Sequence, residues 1–346
     1  MPVSKNVDET LYGPTIKAAD LSALLGRQSP SKARYEKPGL EFINGELVWA
    51  GIEHDLPISG AVIAEVFAWI PYLVALQLKR LTWKLLATSG PRLSFCEKTP
   101  KPWYMLRGAA AWGGIGIEAQ QTQTSHSVYF EDRTLVEPGK SIALDAINGR
   151  CLDIRKSHVA SVFERVFGYP LALDPTRHVG PMIQKPEVNG VHGGAVVIGP
   201  VKPRDGYVYQ RLVDTADENN QCSDLRTPCI GGVPALVWRK LKTADGRFSI
   251  HNQGAELLGI KDAFSSSEIV KIIKFNAAMG LDCGGLDILR DRNDGRIYIV
   301  DVNKTDIGPL IILRWSDKIR SMEIIGAALR NWLVARSNGM TSRTQL

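Results

Sequence analysis

Late in the chain two β-rich runs, Leu286–Arg290 and Ile297–Val302, flank the tripeptide Asn293-Asp294-Gly295. Residues of this kind tolerate the positive backbone torsions of a tight turn, so the two runs are expected to pair as a hairpin. Pairing of this sort decides what stands opposite what. Asp287 lies on the first strand; Asp301 and Asn303 lie on the second, two positions apart, and therefore share a face. Strand interiors disfavour Asp, so an Asp inside Ile299-Val300-Asp301-Val302-Asn303 has a purpose other than ending a strand. Two carboxylates and an amide oxygen form a hard-oxygen set of the kind that suits Mg²⁺.

Two upstream segments carry related chemistry. Gln184-Lys185-Pro186 leads into Asn189-Gly190-Val191-His192-Gly193-Gly194. A lysine at a strand end followed by a small glycine loop offers a point charge and open backbone N–H groups, the two things a polyphosphate needs. The run Tyr207-Val208-Tyr209-Gln210-Arg211-Leu212-Val213-Asp214 begins apolar and turns polar, so its backbone has free edges for a purine. Of the histidines, His158 and His251 are read as satisfied surface or core residues, and only His192, in the glycine loop, is placed near phosphate.

At 346 residues the chain has room for two domains, and 44% hydrophobic with 23% charged residues is an ordinary globular balance. The net charge of +6 comes from scattered Lys and Arg, so no nucleic-acid partner is expected. Five widely spaced cysteines (Cys96, Cys151, Cys222, Cys229, Cys283) form no CxxC pair, which argues against a disulfide framework or a zinc site. With a polar N-terminus lacking a signal-peptide pattern, this suggests a cytoplasmic location. The segment Gly60–Leu78 is nearly continuous in apolar residues and is followed by Lys79, Arg80 and Lys84. Pro71 is expected to break it into a buried helix pair; an interfacial or partner-binding helix and a membrane span are the alternatives, the last opposed by Glu65.

Residues 1–57 read as irregular, with one strand around Leu40–Trp49. The prolines at 91, 100 and 102 mark Pro91–Trp103 as an exposed loop. Arg107–Glu118 is glycine-rich but lacks a GK[ST] ending, so it reads as a tight turn and not a phosphate loop. From Cys151 the pattern sharpens. A helix over Lys156–Phe167 puts Val159, Val162, Phe163 and Val166 on one stripe ahead of Gly168. Strands follow at Pro181–Lys185, Ala195–Ile198, Tyr207–Val213 and Ala235–Leu241. A helix over Ser267–Met279, capped by its serines and Glu268, precedes the hairpin, and another over Asp317–Val334 follows it. Helices and antiparallel strands in this order make an α+β chain.

A helix headed by lysine, a lysine strand with a glycine loop, a hinge strand, and finally D…DxN: this order resembles the ATP-grasp superfamily over about Cys151–Pro309. The resemblance implies two α+β subdomains clasping ATP over residues 151–336. It leaves residues 1–150 as a divergent region with an apolar helical segment over 58–87, and 337–346 as a flexible tail. It further implies that Lys156 and Lys185 contact phosphates under the loop Gly190, Val191, His192, Gly193, that Gln210, Arg211, Leu212 and Val213 frame the adenine, and that Asp217 or Asp214 holds the ribose. Asp287, Asp301 and Asn303 would bind Mg²⁺, with Mn²⁺ as a second candidate. Asp224-Leu225-Arg226 followed by Arg239 or Lys240 resembles a strand pair in which an arginine approaches the moving phosphoryl group, so Arg226, Lys185 and Arg239 are the catalytic candidates. The implied activity is an ATP-dependent ligase joining a small-molecule or peptide carboxylate to an amine or similar nucleophile. A phosphotransferase acting on a hydroxyl is the alternative on the same scaffold. A non-catalytic nucleotide-binding or membrane-recruited module, using residues 60–87, is a third reading. Two features depart from the family pattern: residues 1–118 show no initial βαβ unit, and Asp301 stands where Glu is commoner.

Overall fold

A computed structural model describes residues 39–43, 46–50, 56–57, 60–86, 90–137, 142–190, 194–243 and 253–344 of the chain. The chain divides into two compact units, Met1–Val74 and Ala75–Leu346. In the first, β1 (Gly39–Ile43), β2 (Glu46–Ala50) and β3 (Leu56–Pro57) form an antiparallel sheet. The single strand expected at Leu40–Trp49 is therefore two paired strands, with Ile43 opposite Glu46.

Helix α1 (Gly60–Leu85) corrects the reading of the apolar segment. It passes Pro71 without dividing into two helices. Pro71 is exposed, and on a helix's solvent side the carbonyls freed by a proline turn to water. Nor is the segment buried throughout: Phe67, Ile70, Val74, Leu78, Leu81 and Leu85 are exposed. Among the described residues no helix is long and apolar enough to cross a membrane.

The larger unit opens with a second correction. Residues 92–97, read as loop, form β4 (Arg92–Glu97), the central strand of a parallel sheet ordered β5-β4-β6. Helix α2 (Met105–Trp112) crosses from β4 to β5 (Gly116–Glu118), and β6 (Ser125–Phe130) follows. This is the βαβ arrangement that prolines and mixed polarity concealed. Leu93 is fully buried, while Arg92 and Glu97 end the strand, so the hydrophobic signal is only a few residues long.

Helix α3 (Lys156–Phe167) buries Val159, Val162 and Phe163 and stops at Gly168, whose φ of 83° suits a residue without a Cβ. Strands β7 (Gly180–Pro186), β8 (Ala195–Gly199) and β9 (Tyr207–Arg211) form a small antiparallel sheet ordered β8-β7-β9. The main sheet is antiparallel and ordered β13-β12-β10-β14-β15. It comprises β10 (Gln221–Ile230) with the short β11 (Val233–Pro234), β12 (Val237–Thr243), β13 (Gly254–Leu258), β14 (Cys283–Arg290) and β15 (Ile297–Asn303). Helix α4 (Ser266–Met279) has the expected cap: Ser265 Oγ accepts from the Glu268 N–H, and the Glu268 carboxylate accepts from the Ser265 N–H. One core joins α3 and α4 to a single sheet face through Phe163, Phe275, Leu286, Ile288 and Val302. Helix α5 (Trp315–Thr344) is longer than expected, so Ser337 is helical and bonds His126 Nε2 at 3.0 Å.

Asn148 ties the segment before α3 to the hairpin strands. It is buried with φ 61°, its Oδ1 accepts from the N–H groups of Asp282 and Cys283 (2.9 Å each), and its Nδ2 donates to the Cys283 carbonyl (2.6 Å). Each buried group left without a partner costs on the order of 1–3 kcal/mol. Asn148→Ala is therefore expected to lower unfolding free energy by about 3 kcal/mol, read from the midpoint of urea denaturation at unchanged slope.

Candidate active site

Antiparallel register sorts the main sheet into an apolar face and a charged one. Arg226 stands opposite Asp287 on β14, Asp287 opposite Asp301 on β15, and Asp224 opposite Lys240 on β12. A bulge follows: Asp287 pairs with Asp301 but Ile288 with Ile299, which leaves Val300 as the extra residue. The intervening Leu225, Leu286 and Ile288 point the other way, into the helix-covered core.

On the charged face the contacts are direct. Arg226 Nη1 donates to Asp287 Oδ2 at 2.5 Å, and Lys240 Nζ donates to Asp287 Oδ1 at 2.8 Å. Arg226 also pairs through Nη2 and Nε with Asp306, a fully buried carboxylate in the segment after β15. Lys242 closes the set on Asp224 at 2.9 Å. Glycines 284 and 285 make the packing feasible. A Cβ on Gly285 would stand 2.0 Å from Asp306 Oδ2, and one on Gly284 would stand 2.5 Å from the Asn303 carbonyl oxygen.

The lysines predicted from sequence come to the same place. Lys156, at the head of α3, lies 4.0 Å from Asp301 Oδ2 and donates to the Val188 carbonyl at 2.9 Å. Lys185, at the end of β7, is partly buried and has no hydrogen-bond or ion-pair partner within the described residues. Burial lowers its pKa; Asp301 acts against that shift, while Lys156 adds to it. The carboxylates are driven apart. Burial works to raise the Asp287 pKa, but Arg226 and then Lys240 outweigh it and hold the group well below the usual range. Asp301 is raised by burial despite Lys156, with the neighbouring charge of Asp287 adding to the rise. Asp306 is raised by burial against the pull of Arg226.

Other candidates have different surroundings. Arg239 lies on the opposite face from Lys240 and pairs with Glu256 on β13, so it does not join the cluster. Gln210 is buried, and neither polar atom of its amide has a partner among the described residues. Arg211 reaches the hairpin turn, pairing with Asp291 at 3.1 Å and Asp294 at 3.5 Å; Leu212 is partly buried and Val213 lies in the core. Asp217 caps its own turn by accepting from the N–H groups of Asn219 and Gln221. Gly190 has φ 77°, and the Asn189 beside it donates to the Val302 carbonyl at 2.9 Å, which ties the loop to β15. Val191, His192 and Gly193 lie outside the described residues. Sequence reasoning missed Asp306 and Lys242. The run Asp301-Val302-Asn303-Lys304-Thr305-Asp306 shows an acid, but nothing in its spacing shows that it turns back to Arg226.

No group of three His, Cys, Asp or Glu side chains among the described residues is placed to hold a metal ion. The available set is the two paired carboxylates with Asn303, whose Nδ2 lies 3.4 Å from Asp287 Oδ2. This set fits Mg²⁺. Asn303 turns its N–H toward Asp287 and keeps an amide oxygen for a metal, and a cation would offset the repulsion that Asp301 meets from Asp287.

A lysine-headed helix, a lysine strand and an Asp…Asp-x-Asn hairpin thus converge on one charged face. The order of elements keeps the resemblance to the ATP-grasp superfamily. No protein-family model matches the sequence, and no curated protein matches it significantly. Several solved structures match the chain at low similarity. The ATP-grasp ligase PsnB complexed with minimal precursor, Mg and ADP has a TM-score of 0.45 and 13% identity over 72% of this chain and 98% of that one. Another PsnB structure, complexed with minimal precursor, is spanned over only 61% of its length. The macrocyclase MdnC from Microcystis aeruginosa MRC, bound with precursor peptide MdnA, has a TM-score of 0.42 and 11% identity over 71% of this chain and 99% of that one. D-alanine–D-alanine ligase from Bacillus anthracis has a TM-score of 0.41 and 10% identity over 73% of this chain and 99% of that one. The chemistry rests on the chain's own residues.

Removing one partner of a buried ion pair strands the other. Asp306→Ala is expected to destabilise the protein by about 3–5 kcal/mol, measured by chemical denaturation. The depressed pKa of Asp287 adds stability that is present above the unfolded carboxyl pKa of about 3.9 and disappears as pH falls. The stability difference between the native protein and Asp287→Asn should therefore shrink as pH drops below about 4.

Proposed function

We propose that this chain is an ATP- and Mg²⁺-dependent ligase that activates a carboxylate as an acyl phosphate for attack by an amine or similar nucleophile. The observation that carries this reading is Lys185: an ammonium with no direct partner among the described residues, beside Lys156 and facing the Arg226–Asp287–Asp301 face. Such a group stabilises an anion brought to it, and a polyphosphate is the anion that the glycine loop and hinge strand also suit.

In this reading Lys156 and Lys185 bind the phosphates and the backbone after Gln210 borders the base. Asp287, Asp301 and Asn303 would hold Mg²⁺, which when bound neutralises phosphate charge. The substrate carboxylate oxygen attacks the γ-phosphorus, the bond to the bridging oxygen breaks, and ADP departs. Arg226, already oriented by two carboxylates, offers its positive charge to the phosphoryl group in flight. The amine nitrogen then attacks the acyl carbon, the carbon–oxygen bond to phosphate breaks, and the nitrogen loses a proton. An amine that arrives neutral needs no protein base. The structures it resembles include a macrocyclase bound with a precursor peptide, a D-alanine–D-alanine ligase and an L-amino acid ligase, so both peptides and amino acids belong among the trial substrates.

Phosphate release that requires ATP, a carboxylate and an amine together is the expected result. A stable phosphorylated product from a hydroxyl compound would instead identify a phosphotransferase. Lys185→Ala is expected to cut turnover by at least about a hundredfold, the usual scale for losing one preorganised charge contact. Undiminished turnover in both Lys185→Ala and Asp301→Ala would remove the reading.

A further inference from the structure

Away from the sheet's charged face, a cleft of about 650 Å³ lies among α1, α2 and the start of β4 and β5. Its walls have a simple origin. Gln77, Arg80, Leu81 and Lys84 recur at helical spacing along α1, as Arg107, Ala110 and Ala111 do along α2, so each helix turns one stripe inward. Arg92 and Gly116 add the first residues of two parallel strands. The charged face lies elsewhere: Asp132, past the far end of β6, accepts from Thr305 Oγ1 just beyond β15. No residue lining the cleft belongs to the nucleotide-site cluster.

Among the described residues, every titratable group that lines this cleft is cationic: Arg80, Lys84, Arg92 and Arg107. Arg92 is paired with Glu118 at 2.8 Å, and Arg80 donates to the neutral Gln77 at 3.2 Å. Arg107 has neither. Its Nε is buried without a partner, and its guanidinium makes no hydrogen bond or ion pair within the described residues. Burial first, and then the charge of Arg80, lower its pKa, so two like charges meet in a half-enclosed space. The indole Nε1 of Trp83, in the same wall, is also buried and has no hydrogen-bond partner among the described residues. Buried donors are nearly always satisfied, and an arginine fork is well matched to carboxylate or phosphate oxygens. The rest of the lining is apolar, from Leu81, Ala110, Ala111, Ile115 and Ile117. The volume is in the range of small-molecule pockets.

We propose that this cleft is a second ligand site, separate from the nucleotide site, for a small organic anion: a carboxylate or phosphate head on an apolar body. Arg107 and Arg80 take the head, Trp83 N–H adds a donor, and the aliphatic wall takes the body. Without ligand, Arg107 is a cost to the fold that the bound anion removes.

Isothermal titration of the full chain with sodium octanoate and with inorganic phosphate tests this. Octanoate should bind more tightly than phosphate, and both affinities should fall at least tenfold in Arg107→Gln and in Arg80→Gln. Arg107→Gln should melt no lower than the native protein in the absence of ligand, and its thermal shift with ATP·Mg²⁺ should be unchanged. Arg107→Lys, which keeps the charge but not the fork, should bind at an intermediate level. Affinity that is the same in native protein and both glutamine variants overturns the proposal, as does failure of both probes to bind at millimolar concentration. If Arg107→Gln melts lower because the arginine is structural, Arg80→Gln alone decides, and undiminished binding there overturns the proposal. Because the nucleotide shift is recorded alongside, failure of this site is distinguishable from failure of the ligase reading.

Discussion

Arg226 lies between Asp287 on the neighbouring strand and Asp306 beyond the hairpin, and its two ion pairs hold the charged face together. Burial alone would favour a neutral carboxyl at Asp287, yet the adjoining guanidinium and the Lys240 ammonium keep it ionised. The local backbone is arranged around this contact. Glycines 284 and 285 leave space that a single methyl group would fill, and the segment after β15 turns back to deliver Asp306. A buried ion pair of this kind is weak evidence for stability, since desolvation offsets much of the attraction. Its role here is to set the position and charge of the groups around it.

The cluster is not neutral at its open edge. Asp287 is shared by two cations and Asp224 is held by Lys242, while Asp301 accepts from the Val302 N–H and has, among the described residues, one ion-pair partner, Lys156 at 4.0 Å. Lys185 has no direct partner within the described residues. A lysine poised without a partner beside a carboxylate of raised pKa is an arrangement in which an anion and a cation can both be accepted. It comes from three separate parts of the chain: α3, β7 and the hairpin. Asn189, which links the loop after β7 to the Val302 carbonyl, shows that these parts meet.

Legibility varied with how local the cause was. The hairpin, α3 and the capped α4 each declare themselves within a few residues, through turn chemistry, helical spacing and a capping box. Strand β4 did not, because a short central strand flanked by prolines and ended by Arg92 and Glu97 carries few apolar residues. Pro71 was read as a break, but an exposed proline in a long helix need not divide it. The choice between Arg239 and Lys240 turned on the face each would occupy. Pairing of Lys240 with Asp224 places its ammonium on the charged face and sends Arg239 to Glu256. Strand parity is unforgiving: adjacent residues of the same charge have opposite surroundings.

The sequence by itself determined the inventory: two acids and an amide at hairpin spacing, a lysine at the head of a helix, a lysine before a glycine loop, and an α+β order of elements. These follow from short-range rules, in which a residue's neighbours in the chain are its neighbours in space. Only the tertiary structure decided which charges meet. Asp306 reaches Arg226 across 80 residues, Lys240 reaches Asp287 across 47, and four cations of the second cleft come from α1, β4 and α2. The reason is physical: ionic contacts act through distance in space and burial, and neither is written in the local order of residues.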